Sequence, residues 1–163
     1  MLPTDVPSRP DRVHVLERIQ VVPRPLAEVF PFFAEPANLA RITPPWLGFR
    51  IVSSGPLRMR EGLRVEYRVS PLLVPQRWES LITVWDPPRR FVDEQVRGPY
   101  RYWHHLHEFR AAPEGGTEIR DRVTYALPLG PLGALAHPLV RRQLATIFEH
   151  RQRVVEELLG NRK

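Results

Sequence analysis

Between residues 49 and 127 the chain is a succession of strand patterns parted only by turns, and from Leu132 onward it changes to one long run of helical spacing. No helix pattern interrupts the strands. Without a crossover helix there is no βαβ unit, so the neighbouring strands must be antiparallel. The clearest strand has Val65, Tyr67 and Val69 on one face and Arg64, Glu66 and Arg68 on the other, the two-residue period of a half-buried strand. Further strands follow at 76–85 (Trp78, Ile82 and Val84 inward) and 91–96, with Asp86-Pro87-Pro88 turning the chain between them. The segments 100–111 and 117–127 form a hairpin about Pro113-Glu114-Gly115-Gly116.

The segment before this sheet is of a different kind. In 12–22, Val13, Val15, Ile19 and Val21 alternate with polar residues, which predicts a first strand whose apolar face is buried and on which Glu17 shares the side of Val15 and Ile19. Pro25 then opens a short helix carrying Leu26, Val29, Phe30 and Phe33, and a second short helix is expected over 36–41. At the other end, Leu132, Leu135, Leu139, Leu144, Ile147, Phe148, Val154, Val155 and Leu158 recur as one apolar stripe. His137-Pro138 interrupts the spacing and predicts a kink, or a main helix that starts near Pro138. A helix of about 20 residues, ~30 Å, needs a broad apolar surface, and a sheet of six or seven strands provides it. The fold class is therefore α+β: a curved antiparallel sheet of six to seven strands around a long C-terminal helix, with two short helices after the first strand. Residues 1–11 read as a flexible N-terminal tail and 12–160 as a single domain, the size at which one core suffices.

Composition narrows the function. The absence of cysteine removes thiol nucleophiles, disulfides and thiolate metal sites. No apolar leader opens the chain, and the longest uncharged stretch, 126–140, is short of a bilayer span and broken by Pro and Gly, which predicts a cytoplasmic protein. The formal net charge is +6. The basic residues are spread along the chain and mixed with Glu, without interleaved aromatics, so no nucleic-acid partner is expected. If Arg64, Arg68, Arg77, Arg120 and Arg122 share the outer sheet face, that face is the place to look for one. There is no phosphate-binding loop, His-Glu-x-x-His or Gly-x-Ser-x-Gly, which argues against an NTPase, a metalloprotease of that type and an ordinary serine hydrolase.

Local motifs sharpen the picture. Pro25-Leu26-Ala27-Glu28-Val29-Phe30, Asn38-Leu39 and Thr43-Pro44-Pro45-Trp46-Leu47 resemble the opening of bacterial SRPBCC ligand-binding proteins. So do Arg90-Phe91-Val92-Asp93-Glu94-Gln95, Gly98-Pro99-Tyr100, Trp103-His104-His105-Leu106-His107-Glu108-Phe109, Asp121-Arg122-Val123-Thr124-Tyr125-Ala126-Leu127-Pro128 and Arg141-Arg142-Gln143-Leu144. By these the chain is similar to the START-like (SRPBCC) superfamily, whose helix-grip fold is shared by birch pollen allergen, START lipid-transfer domains, coenzyme Q-binding proteins and aromatic polyketide cyclases. The resemblance implies an internal cavity for a small hydrophobic ligand, lipid-like, polyketide or otherwise aromatic. It supplies no catalytic residue, because none here matches a known catalytic residue of the cyclases, and a shared fold does not carry a shared function.

The residues themselves pick out one polar patch. On 117–127, Glu118, Arg120, Arg122 and Thr124 share the outer side, and Ile119, Val123 and Tyr125 the inner side, which puts Asp121 inside. A carboxylate there needs a partner. The preceding strand turns Trp103, His105, His107 and Phe109 inward, and a hairpin turning about Glu114 sets His107 opposite Asp121; a two-residue slip would bring His105 there instead. Two arrangements fit: a His–Asp pair sealed in the core, or one lining a cavity and holding a polar group of an apolar ligand. The ligand-binding candidates are Trp103, His105, His107, Asp121, Tyr125, Tyr67, Trp78 and Phe148, with Phe33 and Trp46 as a lid; on the enzyme alternative (cyclase, dehydratase or hydrolase type), His105, His107 and Asp121 are the acid–base groups. No cofactor and no metal is expected. The face of 91–96 stays open, since either Asp93 or Glu94 can point inward.

Overall fold

The computed structural model describes residues 5–160; the remainder of the expected tail, 1–4, lies outside the described residues. Seven strands form one antiparallel sheet in the order β1-β7-β6-β5-β4-β3-β2: β1 His14–Val22, β2 Arg50–Ile51, β3 Arg64–Val69, β4 Gln76–Asp86, β5 Arg90–Arg97, β6 Tyr102–Ala111 and β7 Thr117–Ala126. Two short helices, α1 Leu26–Phe33 and α2 Pro36–Arg41, follow β1, and α3 Gly130–Leu159 closes the chain. Every pair from β3 to β7 joins consecutive strands, so hairpins build most of the sheet. β1 returns to the edge beside β7.

The β6–β7 hairpin has the register that alternation predicts: Phe109 faces Ile119, His107 faces Asp121 and Trp103 faces Tyr125. Its turn relies on Gly116, at φ +88°, where a Cβ would stand 2.2 Å from the carbonyl oxygen of Val22 on the adjoining strand. The open face of β5 is settled by the structure, which turns Phe91 and Asp93 to the cavity and buries Gln95 on the same side.

Two apolar clusters fill the space between sheet and helices. Phe30 and Phe33 of α1 pack on Phe91 and Phe109, with Val22, Ile119 and Val155 completing that end. At the other end Trp78, Trp103, Val123 and Tyr125 meet Val140, Leu144 and Phe148 of α3. Leu144, Phe148, Arg151 and Val155, spaced four, three and four apart, are the buried line of α3.

Three expectations need correction. The apolar face of β1 is the solvent face: Val15, Ile19 and Val21 are about half exposed, whereas Leu16 and Val22 are buried. Gln20, on the inner side, donates to the Gln152 carbonyl of α3. As an edge strand β1 is bounded on one side only, and Glu17 pairs with Arg120 on the surface, 3.6 Å away. The C-terminal helix is 30 residues long and runs through Pro138. The proline removes the partner of the Ala134 carbonyl, but both residues are exposed, so water takes its place. Leu132, Leu135, Leu139 and Leu158 are exposed and not part of the buried stripe. None of the described helices is long and apolar enough to cross a membrane.

On the outer face Arg64 pairs with Glu79 and with Asp5, and Arg120 with Glu17. Elsewhere on that face Arg68 stands directly across from Arg50 on one side and Arg77 on the other.

Candidate functional site

Between the inner sheet face, α2 and the middle of α3 lies a cavity of about 190 Å³. A purely apolar cavity of ~150 Å³ accepts benzene, so this one has room for a ring system. Phe49, Tyr67, Trp78, Tyr100 and Trp103 form one wall, and Leu144, Ile147 and Phe148 of α3 form the other. Trp78 stacks on Tyr67 (5.7 Å, 17°) and meets Trp103 edge-on at 5.0 Å. Such contacts fix the rings, so the wall is rigid before any ligand arrives. Leu39, Ile42 and Thr43 close the α2 side, and Glu35, Asn38 and Gln143 mark its polar rim.

Across the sheet side runs a line of polar groups, with β3 to β7 each contributing at least one. Tyr67 on β3 shares a 3.0 Å hydrogen bond with Ser80 on β4, and the Trp78 indole N–H donates to the same Ser80 hydroxyl at 3.1 Å. Asp93 on β5 comes next, then His105 and His107 on β6, their rings tilted by 34° with centroids 3.7 Å apart, then Asp121 on β7. Arg151 reaches in from α3; its guanidinium lies over the rings of Phe33 and Phe148 and 3.7 Å from Asp121 Oδ1.

Each imidazole stands between the two carboxylates. His105 Nε2 is 2.9 Å from Asp121 Oδ1, and its Nδ1 is 3.5 Å from Asp93 Oδ2. His107 Nε2 is 2.9 Å from Asp93 Oδ2. Its Nδ1 is 3.1 Å from Asp121 Oδ1 but off the line of a good hydrogen bond, so there Asp121 acts as a nearby charge. Burial opposes ionisation of Asp121, yet the Arg151 charge and the two imidazoles outweigh it and hold the carboxyl well below its usual range. Burial and the neighbouring His107 push His105 down to about 4. Burial also works against charge on His107, but Asp121 and Asp93 together raise its pKa. Asp93 stays low against burial through its bond from His107 and the charges around it. The two adjacent imidazoles are thus driven apart, with His107 as the proton-holding ring, while both carboxyls stay low.

Of the residues singled out from sequence, Tyr67, Trp78, Trp103, His105, His107 and Phe148 line the cavity. Asp121 and Tyr125 do not. Asp121 sits behind the histidines, and Tyr125 turns its hydroxyl to His137 at 3.1 Å. The His–Asp alternatives resolve into both at once: His105 hydrogen-bonds Asp121 while His107 lies directly across from it. Of the two lid candidates, Phe33 lines the cavity while packing on Phe109, and Trp46, 45 % exposed, is not one of the lining residues. Alternation alone does not reveal Asp93, since Phe91 and Val92 are both apolar and both buried. Arg151 is absent from the sequence candidates although its spacing from Leu144, Phe148 and Val155 puts it on the buried line of α3.

A family model described as polyketide cyclase / dehydrase and lipid transport matches residues 22–149. Among curated proteins none matches the sequence. Solved structures share the fold: protein TTHA0849 from Thermus thermophilus (21 % identity, TM-score 0.66, covering 90 % of this chain and 95 % of that one) and a START superfamily protein from Mycobacterium smegmatis (10 % identity, TM-score 0.67, 90 % and 97 %). Protein Ms6760 from Mycobacterium smegmatis is similar too (19 % identity, TM-score 0.65, 89 % and 90 %). At these identities the likeness is one of fold.

Proposed function

The chain belongs to the polyketide cyclase / dehydrase and lipid transport family, and from that premise we propose that it binds a small hydrophobic molecule, ring-containing and bearing one polar group, in the cavity beneath α3. The carrying observation is the lining: aromatic and aliphatic over most of its area, with Asp93, His105 and His107 grouped as a compact polar patch on the sheet side. Apolar burial supplies most of the affinity, and a few placed polar groups fix orientation. A hydroxyl or carbonyl at the polar patch would meet His107, which donates, or Asp93, which accepts.

Displacement of an apolar fluorescent dye tests this directly. The dye should bind, and 2-naphthol should displace it at roughly tenfold lower concentration than 2-methylnaphthalene, the gain of one hydrogen bond to a charged group. Asp93→Ala should erase most of that difference. Equal displacement by the two compounds would contradict the polar patch, and absence of dye binding would contradict the ligand reading itself.

A second reading rests on one further feature. His107 is held between two carboxylates and opens onto the cavity, which is the geometry of general acid–base work. On this reading the protein is a cyclase, dehydratase or hydrolase acting on the same class of molecule. Recovery of a chemically altered ligand from wild type, and of an unaltered one from His107→Gln, separates it from pure binding.

A further inference from the structure

Asp93, His105 and His107 present more donor atoms than one polar group of a ligand needs. One donor atom from each lies within 4.8 Å of the others, and all three residues line the cavity. The tautomer of His105 follows from its partners. Asp121 carries Arg151 beside it and accepts only, so at 2.9 Å the His105 proton must sit on Nε2. His105 Nδ1 is then a bare lone pair, 3.5 Å from Asp93 Oδ2, which is itself an acceptor. Two lone-pair bearers face each other across a gap with no hydrogen between them. His107 Nε2 borders the same gap, 2.9 Å from the same carboxylate oxygen, and the proton it shares with Asp93 is the one a bound ion displaces.

We propose that Asp93, His105 and His107 hold one divalent first-row transition ion, through Asp93 Oδ2, His105 Nδ1 and His107 Nε2, with Asp121 as the outer carboxylate that orients the rings. In a tetrahedral site with bonds of about 2.1 Å the donors stand roughly 3.4 Å apart. The separations of 2.9 and 3.5 Å from Asp93 Oδ2 lie on either side of that value, and the two ring nitrogens are within 4.8 Å of each other. Two imidazoles and one carboxylate suit zinc, cobalt or iron better than magnesium or calcium, which take oxygen donors. Asp121 behind His105 is the carboxylate–histidine–metal arrangement in which the outer group fixes the ring and raises its basicity. Because all three ligands lie on the cavity wall, the remaining coordination positions open to the cavity, where a hydroxyl, carbonyl or carboxylate of a bound molecule would meet the ion. This inference does not depend on the ligand reading; the ion can be held with the cavity empty.

Cobalt is the probe. Chelator-treated protein titrated with Co²⁺ should take up one ion per chain and develop the visible absorption of a four- or five-coordinate centre, which Zn²⁺ then bleaches. His105→Gln and His107→Gln should each lose the spectrum, and Asp121→Asn should weaken binding by about 10–100-fold. The surface rings of His14 and His137 stack at 3.5 Å and form the competing site to exclude; the double variant His14→Ala/His137→Ala should bind as wild type does. If the core variants do not fold, wild type labelled with ¹⁵N-histidine decides: Zn²⁺ must move the His105 Nδ1 and His107 Nε2 resonances and leave the other histidines in place. No saturable Co²⁺ binding, a spectrum that survives His107→Gln in folded protein, or zinc shifts confined to His14 and His137 would each overturn the site.

Discussion

Asp121→Ala should lower the stability of the protein by about 3–5 kcal/mol, the usual loss when one partner of a buried charge pair is removed. Asp121 is 6 % exposed and touches three groups: His105 at 2.9 Å, His107 at 3.1 Å and Arg151 at 3.7 Å. Removing it leaves Arg151, itself 8 % exposed, with no carboxylate within reach on β7, and deprives the His105 N–H of its acceptor. The Arg151 Nε already lacks a hydrogen-bond partner, and the Asp93 charge, which acts on Arg151 from β5, offsets only part of the loss. The urea midpoint should fall with little change in slope. The double variant Asp121→Leu/Arg151→Met should recover much of the loss, because it removes both charges and keeps apolar volume. A loss below about 1 kcal/mol in Asp121→Ala would mean that the carboxylate is not the buried counter-charge of Arg151.

The second large effect concerns the cavity. Ile147→Trp should weaken 2-naphthol binding by roughly 100-fold, about 2.7 kcal/mol, while altering stability by less than about 1.5 kcal/mol. Ile147 lies on α3 and lines the cavity opposite Trp78 and Trp103. A larger ring placed there enters open volume instead of packed core, so it excludes the ligand without forcing neighbours apart. Calorimetric titration measures the affinity, and thermal unfolding the fold. Unchanged affinity in a folded variant would place the ligand elsewhere.

The two effects separate a structural layer from a ligand layer, and the two layers are unequally legible in the sequence. The β6–β7 hairpin is legible because strict alternation and a turn about Glu114 leave two registers, two residues apart, each setting a histidine opposite Asp121; the structure takes the one with His107 there. Five consecutive hairpin steps and a final amphipathic helix are enough to define the fold class. β1 misleads because an edge strand need not bury its more apolar face; its inner side is held by Leu16 and Val22 at the ends and by a polar contact, Gln20 to α3, between them. Asp93 is hidden for a related reason. With Phe91 and Val92 both buried, β5 has no polar face to orient it. Arg151 shows the opposite failure: its helical spacing is readable, but a charged residue is by default assigned to the surface. It is buried here only because Asp121, which alternation does place inside, needs a cation.

Native mass spectrometry of the gently purified wild-type protein, beside Ile147→Trp prepared identically, tests the central claim most directly. Ligand binding in the cavity predicts that wild type carries, or takes up from a hydrophobic extract, a single small molecule of defined mass, released on denaturation and absent from the variant. Wild type that stays at its bare chain mass after such exposure, or an adduct held equally by the plugged variant, would contradict it.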